Sequence, residues 1–114
     1  MPTKTRTITL TDRAPVRIVE EEWPIIASAK DWDGEFDFQA PRTWAMRVRQ
    51  HADGRAIVYA TYATQFRGEV EWRGGELLDA GADIAAAIRR VGEDGAMPEH
   101  VIRECIADLP AVEV

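Results

Sequence analysis

Residues 44–63 read WAMRVRQHADGRAIVYATYA, and this stretch decides the fold. Trp44, Met46 and Val48 alternate with Ala45, Arg47 and Arg49, the two-residue period of a strand with one buried face. Asp53-Gly54 supplies what a tight turn needs, because glycine tolerates positive φ. The chain then returns through Ile57, Val58, Tyr59, Thr61 and Tyr62, all strand formers. The spacing predicts an antiparallel hairpin centred on Asp53-Gly54.

Working outward, residues 66–73 place Phe66, Gly68, Val70 and Trp72 on one face and Arg67, Glu69, Glu71 and Arg73 on the other. This predicts a third strand, half-buried, broken by Gly74-Gly75. Upstream, residues 5–10 alternate and residues 16–19 are β-like, with a turn at 12–15, so a first hairpin is expected. Pro24 suits the first turn of a short helix through Ala29, with Glu20, Glu21 and Glu22 at its positive end. Downstream, Ile84, Ala87, Ile88 and Val91 recur at helical spacing. Asp83 is the expected N-cap, Arg89 and Arg90 fall in the expected last turn, and Gly95 ends the element. Pro98 opens a second helix bearing Val101, Ile102, Cys105 and Leu109, stopped by Pro110. Strands (mainly 5–73) before helices (mainly 82–109) define an α+β domain spanning 1–114. The expected architecture is an antiparallel sheet of four to five strands with two C-terminal helices packed on one face.

A chain of 114 residues with 46% apolar content can form one real core. No apolar run reaches the ~18 residues of a membrane span, and the N-terminus lacks the apolar centre of a signal peptide. A cytoplasmic location is therefore expected. The net charge of −6 argues against broad attraction to nucleic acid or anionic membranes and permits a basic partner. The surplus acid falls in residues 51–114, which hold twelve acids and six bases.

The candidate binding residues sit in DWDGEFDF, residues 31–38. In an extended strand Asp31, Asp33, Glu35 and Asp37 form a row spaced roughly 6–7 Å apart, while Trp32, Phe36 and Phe38 point the other way. Such a row can stand in for phosphates and dock into an Arg/Lys-rich groove. The bland alternative is a charged edge strand that resists aggregation. Its D-x-D-G resemblance to a calcium loop lacks the full ligand spacing and the closing Glu. Glu20, Glu21 and Glu22 are a second acidic cluster that helix-dipole compensation also explains. Of the tryptophans (23, 32, 44, 72), Trp32 or Trp23, if partly exposed, would be a natural hot spot.

Catalytic equipment is sparse. Cys105 is the sole cysteine and lies in an apolar helix stripe, about 140° around the helix from His100. His51 stands beside the hairpin turn, where exposure is expected. Ser28, the only serine, lies outside any G-x-S-x-G context. Phosphate-cradling glycine motifs are absent. No metal, cofactor or enzyme activity is expected. A helix-turn-helix reader of DNA is the alternative, but the second helix offers Glu99, Glu104 and Asp108 against Arg103. Arg47 and Arg49, with Arg55 near the turn, form the only basic patch, which a structural role opposite the acidic strand explains as well as nucleic-acid contact does. An unpaired strand edge leaves a homodimer open.

The phrases RGGELLDAGADIAAAIRRV (73–91), ECIADLP (104–110) and TITLTD (7–12) resemble small acidic accessory proteins of proteobacterial integrative and conjugative elements, a group without a defined activity. The resemblance carries no functional residues. It implies a context in which inhibitors of host restriction and CRISPR systems occur. The resulting expectation is a non-enzymatic acidic protein that binds a protein partner with a basic surface, as an anti-CRISPR or anti-restriction inhibitor would.

Overall fold

The computed structural model describes residues 3–31, 42–64 and 68–111. In chain order the strands are β1 (Thr5–Ile8), β2 (Val16–Val19), β3 (Ile25–Asp31), β4 (Arg42–Gln50), β5 (Ala56–Thr64) and β6 (Trp72–Leu78). A 3₁₀ turn, Glu20–Glu22, separates β2 from β3. The helices α1 (Ile84–Asp94) and α2 (Glu99–Ala107) close the chain. The fold is α+β, with an antiparallel four-stranded sheet in the order β3-β4-β5-β6 and a separate β1-β2 hairpin.

The β4–β5 hairpin forms as its alternation predicts. Trp44 pairs with Tyr62, Met46 with Ala60 and Val48 with Val58, and Gly54 takes a positive φ of 98°. Met46, Val48, Val58 and Ala60 point to the face that α1 and α2 cover. There they meet Ala87, Ile88, Val91, Val101, Ile102 and Cys105. The opposite face carries Ile57 and Tyr59, and the β1-β2 hairpin packs on it through Ile8, Leu10, Ile18 and Trp23. The central sheet thus separates two apolar layers, which is why β5 is buried on both faces near Ile57 and Val58.

Two elements differ from the expectations. The segment after Pro24 is strand β3, not a helix. Ala27 and Ala29 face the helix layer while Ser28 and Lys30 face away, a period of two that the apolar residues satisfy only as a strand. A register shift between Ile25 and Ala27 breaks that alternation at its start. The sixth strand is Trp72–Leu78 rather than 66–73, and Gly74-Gly75 lie buried inside it. These glycines admit close neighbours. A β-carbon on Gly75 would sit 2.6 Å from the Val58 carbonyl oxygen, and one on Gly74 2.5 Å from the Trp72 ring. The stretch 68–71 lies outside any strand, and residues 65–67 fall outside the described residues.

Helix ends follow side-chain chemistry. The Asp83 carboxylate accepts the Ala86 N–H at 3.1 Å, as an N-cap should. Gly95 caps α1 because the Trp72 indole leaves no room for a β-carbon, which would lie 2.6 Å from the ring. The left-handed conformation falls instead to Ala96, at φ 52°. Arg89 and Arg90 are not in the last turn, since α1 continues to Asp94. They reach sideways, Arg89 to Glu99 at 3.0 Å and Arg90 to Glu76 at 3.0 Å.

Both flanks of the four-stranded sheet have a main-chain N–H taken by a side chain. The Ser28 N–H on β3 donates to the Asp108 carboxylate at 2.9 Å. The Gly75 N–H on β6 donates to the Thr11 hydroxyl at 3.0 Å, and the Thr11 N–H donates back to the Gly75 carbonyl. Glu69 ties the approach to β6 to the hairpin, accepting from Arg42, Tyr62 and Thr64. The Arg42 hydrogen bond first, then that from Tyr62, pulls its carboxyl down to about 2.

Gly75→Ala is expected to destabilise the protein by about 1–3 kcal/mol, as overpacking against rigid backbone does, with an unchanged m-value in urea unfolding. For Glu69 the folded carboxyl titrates below its ordinary 4.5, so its contribution is full above that pH and is lost as pH falls through about 2. The urea midpoints of the wild type and Glu69→Gln are expected to converge as pH falls from 5 to 2.

Candidate functional site

Among the described candidate residues, Asp31 and Glu20–Glu22 lie at opposite ends of β3. Asp33, Glu35, Asp37 and Trp32 lie outside the described residues, as does the 31–38 stretch beyond Asp31. Asp31 ends β3 opposite Trp44, so its side chain is on the helix-bearing face. There its carboxylate lies 3.6 Å from His100 Nε2 on α2. Glu20, Glu21 and Glu22 precede the other end of β3, roughly 20 Å away at about 3.3 Å per residue.

Glu20 is also spent internally. It accepts from Arg6 at 2.7 Å and lies 3.9 Å from Arg49, and the Arg6 bond holds its carboxyl below the usual range. Glu21 and Glu22 are exposed. The triplet forms its own 3₁₀ turn, so the expected helix-dipole role does not arise.

Trp23 is buried rather than an exposed anchor, at 7% accessibility. The His51 ring packs 5.0 Å from it and the Arg55 guanidinium 5.1 Å. His51 is accordingly half-buried, and its Nδ1 accepts the Asp53 N–H. Trp44 and Trp72 are partly buried against the main core.

Arg49 departs furthest from expectation. It does not pair across the sheet with an acidic strand. It is 5% exposed, the one buried charged residue among those described. Its Nε donates to the Tyr59 hydroxyl at 2.9 Å and its Nη1 to the Trp23 carbonyl at 3.0 Å.

Charge is instead sorted by layer. Residues 79–111, which include both helices, carry seven acids against three arginines. All three arginines are engaged. Arg89 and Arg103 bond Glu99, and Arg90 bonds Glu76. Asp94 and Glu104 are exposed and have no ion-pair partner among the described residues. α2 packs on β3, so Asp31 and the exposed Glu104 and Asp108 belong to one side of the molecule.

The reactive groups are poorly placed for chemistry. Cys105 is fully buried, and desolvation, with the Asp108 charge adding, pushes its thiol up to about 12. A thiol in that setting is not a nucleophile at neutral pH. The Ser28 main chain is bound to Asp108, and no nucleophile–base hydrogen bond involving its hydroxyl occurs among the described residues. No group of three or more His, Cys, Asp or Glu among the described residues converges as a metal site. No helix among them is long and apolar enough to cross a membrane.

Sequence reasoning missed Arg73 as a site residue. It faces Thr61 near the start of β6, on the sheet face opposite the helices and shared with Arg47. The signal was hidden because Gly74-Gly75 read as a strand end. No protein-family model, curated protein or solved structure matches the chain.

Cys105 is expected to resist a colourimetric thiol reagent in the native protein at pH 8 and to react stoichiometrically once the chain is unfolded in guanidinium. Rapid native labelling would show that the thiol is accessible and active.

Proposed function

We propose that the protein is a non-enzymatic module that binds a basic macromolecular surface through the acidic side formed by α2 and the Asp31 end of β3. The supporting observation is the exhaustion of the local cations. Every arginine on the two helices is held by a carboxylate, and Asp94 and Glu104 remain uncompensated among the described residues. A field of one sign on one side steers an oppositely charged partner and raises the encounter rate. Asp33, Glu35 and Asp37 add three further carboxylates within six residues of Asp31 in sequence.

A partner whose groove ordinarily holds nucleic acid fits this reading, because carboxylates at strand spacing present negative charge as phosphates do. A defence complex that grips DNA or RNA is the sharper form of the proposal. DNA reading by the helices is disfavoured, since the solvent side of α2 is predominantly acidic and would be repelled by phosphate.

The test uses a fluorescent Arg/Lys-rich peptide as the probe of a basic groove. Replacing Asp31, Asp33, Glu35 and Asp37 by their amides is expected to weaken binding about tenfold at low salt, a few tenths of a kcal/mol per exposed charge. An equal change in net charge elsewhere, at Asp12, Glu21, Glu22 and Asp79, is expected to cost far less. Equal losses would mean that net charge alone acts, and unchanged affinity in the first variant would remove the site.

A further inference from the structure

The sheet face opposite the helices carries a cleft of about 250 Å³ between β1 and the exposed part of strands β4 to β6. Arg47 and Arg73 flank it. Arg47 is opposite Tyr59 in the β4–β5 ladder, and Arg73 is opposite Thr61 in the β5–β6 ladder. Their Cα atoms are therefore two strands and two residues apart, roughly 12 Å at the usual strand spacings. Two long guanidinium side chains rooted that far apart can meet over the residues between them. Ala45 beside them is small and leaves that space open.

Of the described arginines without a carboxylate within ion-pair distance, Arg13, Arg17, Arg47 and Arg73, only Arg47 and Arg73 line the cleft. Arg6, Arg42, Arg49, Arg55, Arg89, Arg90 and Arg103 each have a carboxylate within ion-pair distance. Among the described residues Arg47 and Arg73 have none, although acids outnumber bases by 20 to 14. Arg6, which also lines the cleft, is already bound to Glu20.

The remaining donors suit an anion. The Tyr59 hydroxyl accepts from Arg49, so its own proton is available to donate. Thr61 adds a second hydroxyl. The backbone of β1 contributes as well. Glu20 N–H donates to the Lys4 carbonyl, which sets the phase of the hairpin ladder. By alternation the N–H groups of Thr7 and Thr9 point off the opposite edge, where β1 has no partner strand. Thr11 follows the same phase and reaches Gly75.

We propose that this cleft binds a phosphate dianion, free or as the terminal group of a small molecule, with Arg47 and Arg73 as its principal ligands. Guanidinium forks match phosphate geometry and bond it in pairs. The cleft's size and the overall charge of −6 favour a compact anion over a long polyanion.

Calorimetric titration of the full chain with inorganic phosphate, adenosine 5′-monophosphate and adenosine tests this. Phosphate and the monophosphate are expected to bind and compete, and adenosine is expected not to bind. Equal affinity for the first two identifies the free anion as ligand, whereas tighter monophosphate binding identifies an esterified one. Arg47→Gln and Arg73→Gln are each expected to weaken binding at least tenfold, while Arg13→Gln leaves it unchanged. Circular dichroism melting of each variant separates loss of binding from loss of fold, and the milder Arg47→Lys is expected to retain part of the affinity. Absence of phosphate and monophosphate binding would overturn the proposal, as would an equal loss in Arg13→Gln. Tighter binding of a single-stranded oligonucleotide or a poly-glutamate peptide would overturn it in favour of an extended groove.

Discussion

A buried guanidinium fixes the N-terminal hairpin on the central sheet. Arg49 projects from β4 into the thin apolar layer between the sheet and the N-terminal hairpin. A charge there is tolerated only if its donors are satisfied. Tyr59 from β5 and, from the 3₁₀ turn after β2, the Trp23 carbonyl and the nearby Glu20 carboxylate meet that need. Among the described residues the buried outer core is small, Ile8, Leu10, Ile18, Trp23 and Ile57 with Val16, Tyr59 and Leu77 packed against it, and non-directional burial does not by itself fix the position of the hairpin. Directional bonds to Arg49 select one position. The same network orients Tyr59, which lines the cleft beside Arg47.

How much of this was legible in the sequence depended on whether neighbours or distant contacts decide a residue's conformation. The β4–β5 hairpin was legible because its alternation and its Asp-Gly turn agree locally. So were both helices, with Asp83 and Gly95 at the ends of α1. β3 was misread because Pro24 after three glutamates imitates a helix start, while the Ala27-Ser28-Ala29-Lys30 alternation was short and offset by the shift at Ile25. β6 was misread because glycine pairs usually interrupt strands. Here the cause lies in residues far along the chain, since the Val58 carbonyl and the Trp72 ring occupy the space that side chains would need.

The candidate sites were less legible than the fold. An acid-rich composition is visible in any sequence, but which acids remain uncompensated depends on pairings such as Arg90 with Glu76, fourteen residues apart. Glu20 and Trp23 looked available and are both consumed by internal contacts. Arg47 was read with Arg49 and Arg55 as a basic patch, but its neighbour Arg73 became visible only when the strand register placed both on one face. The resulting molecule is divided, with acid concentrated on the helix side and the uncompensated Arg47 and Arg73 sharing the opposite face of the sheet.

The side-chain bonds at the two outer strands have a consequence for association. A sheet recruits another chain by offering a run of vacant amides and carbonyls. Asp108 occupies one such amide on the first flank, and Thr11 engages an amide and a carbonyl on the other. An incoming strand would have to evict them before it could zip alongside. Lateral polymerisation of the central sheet is thereby obstructed at both ends by the protein's own side chains, and a copy of the chain must seek another route to self-assemble.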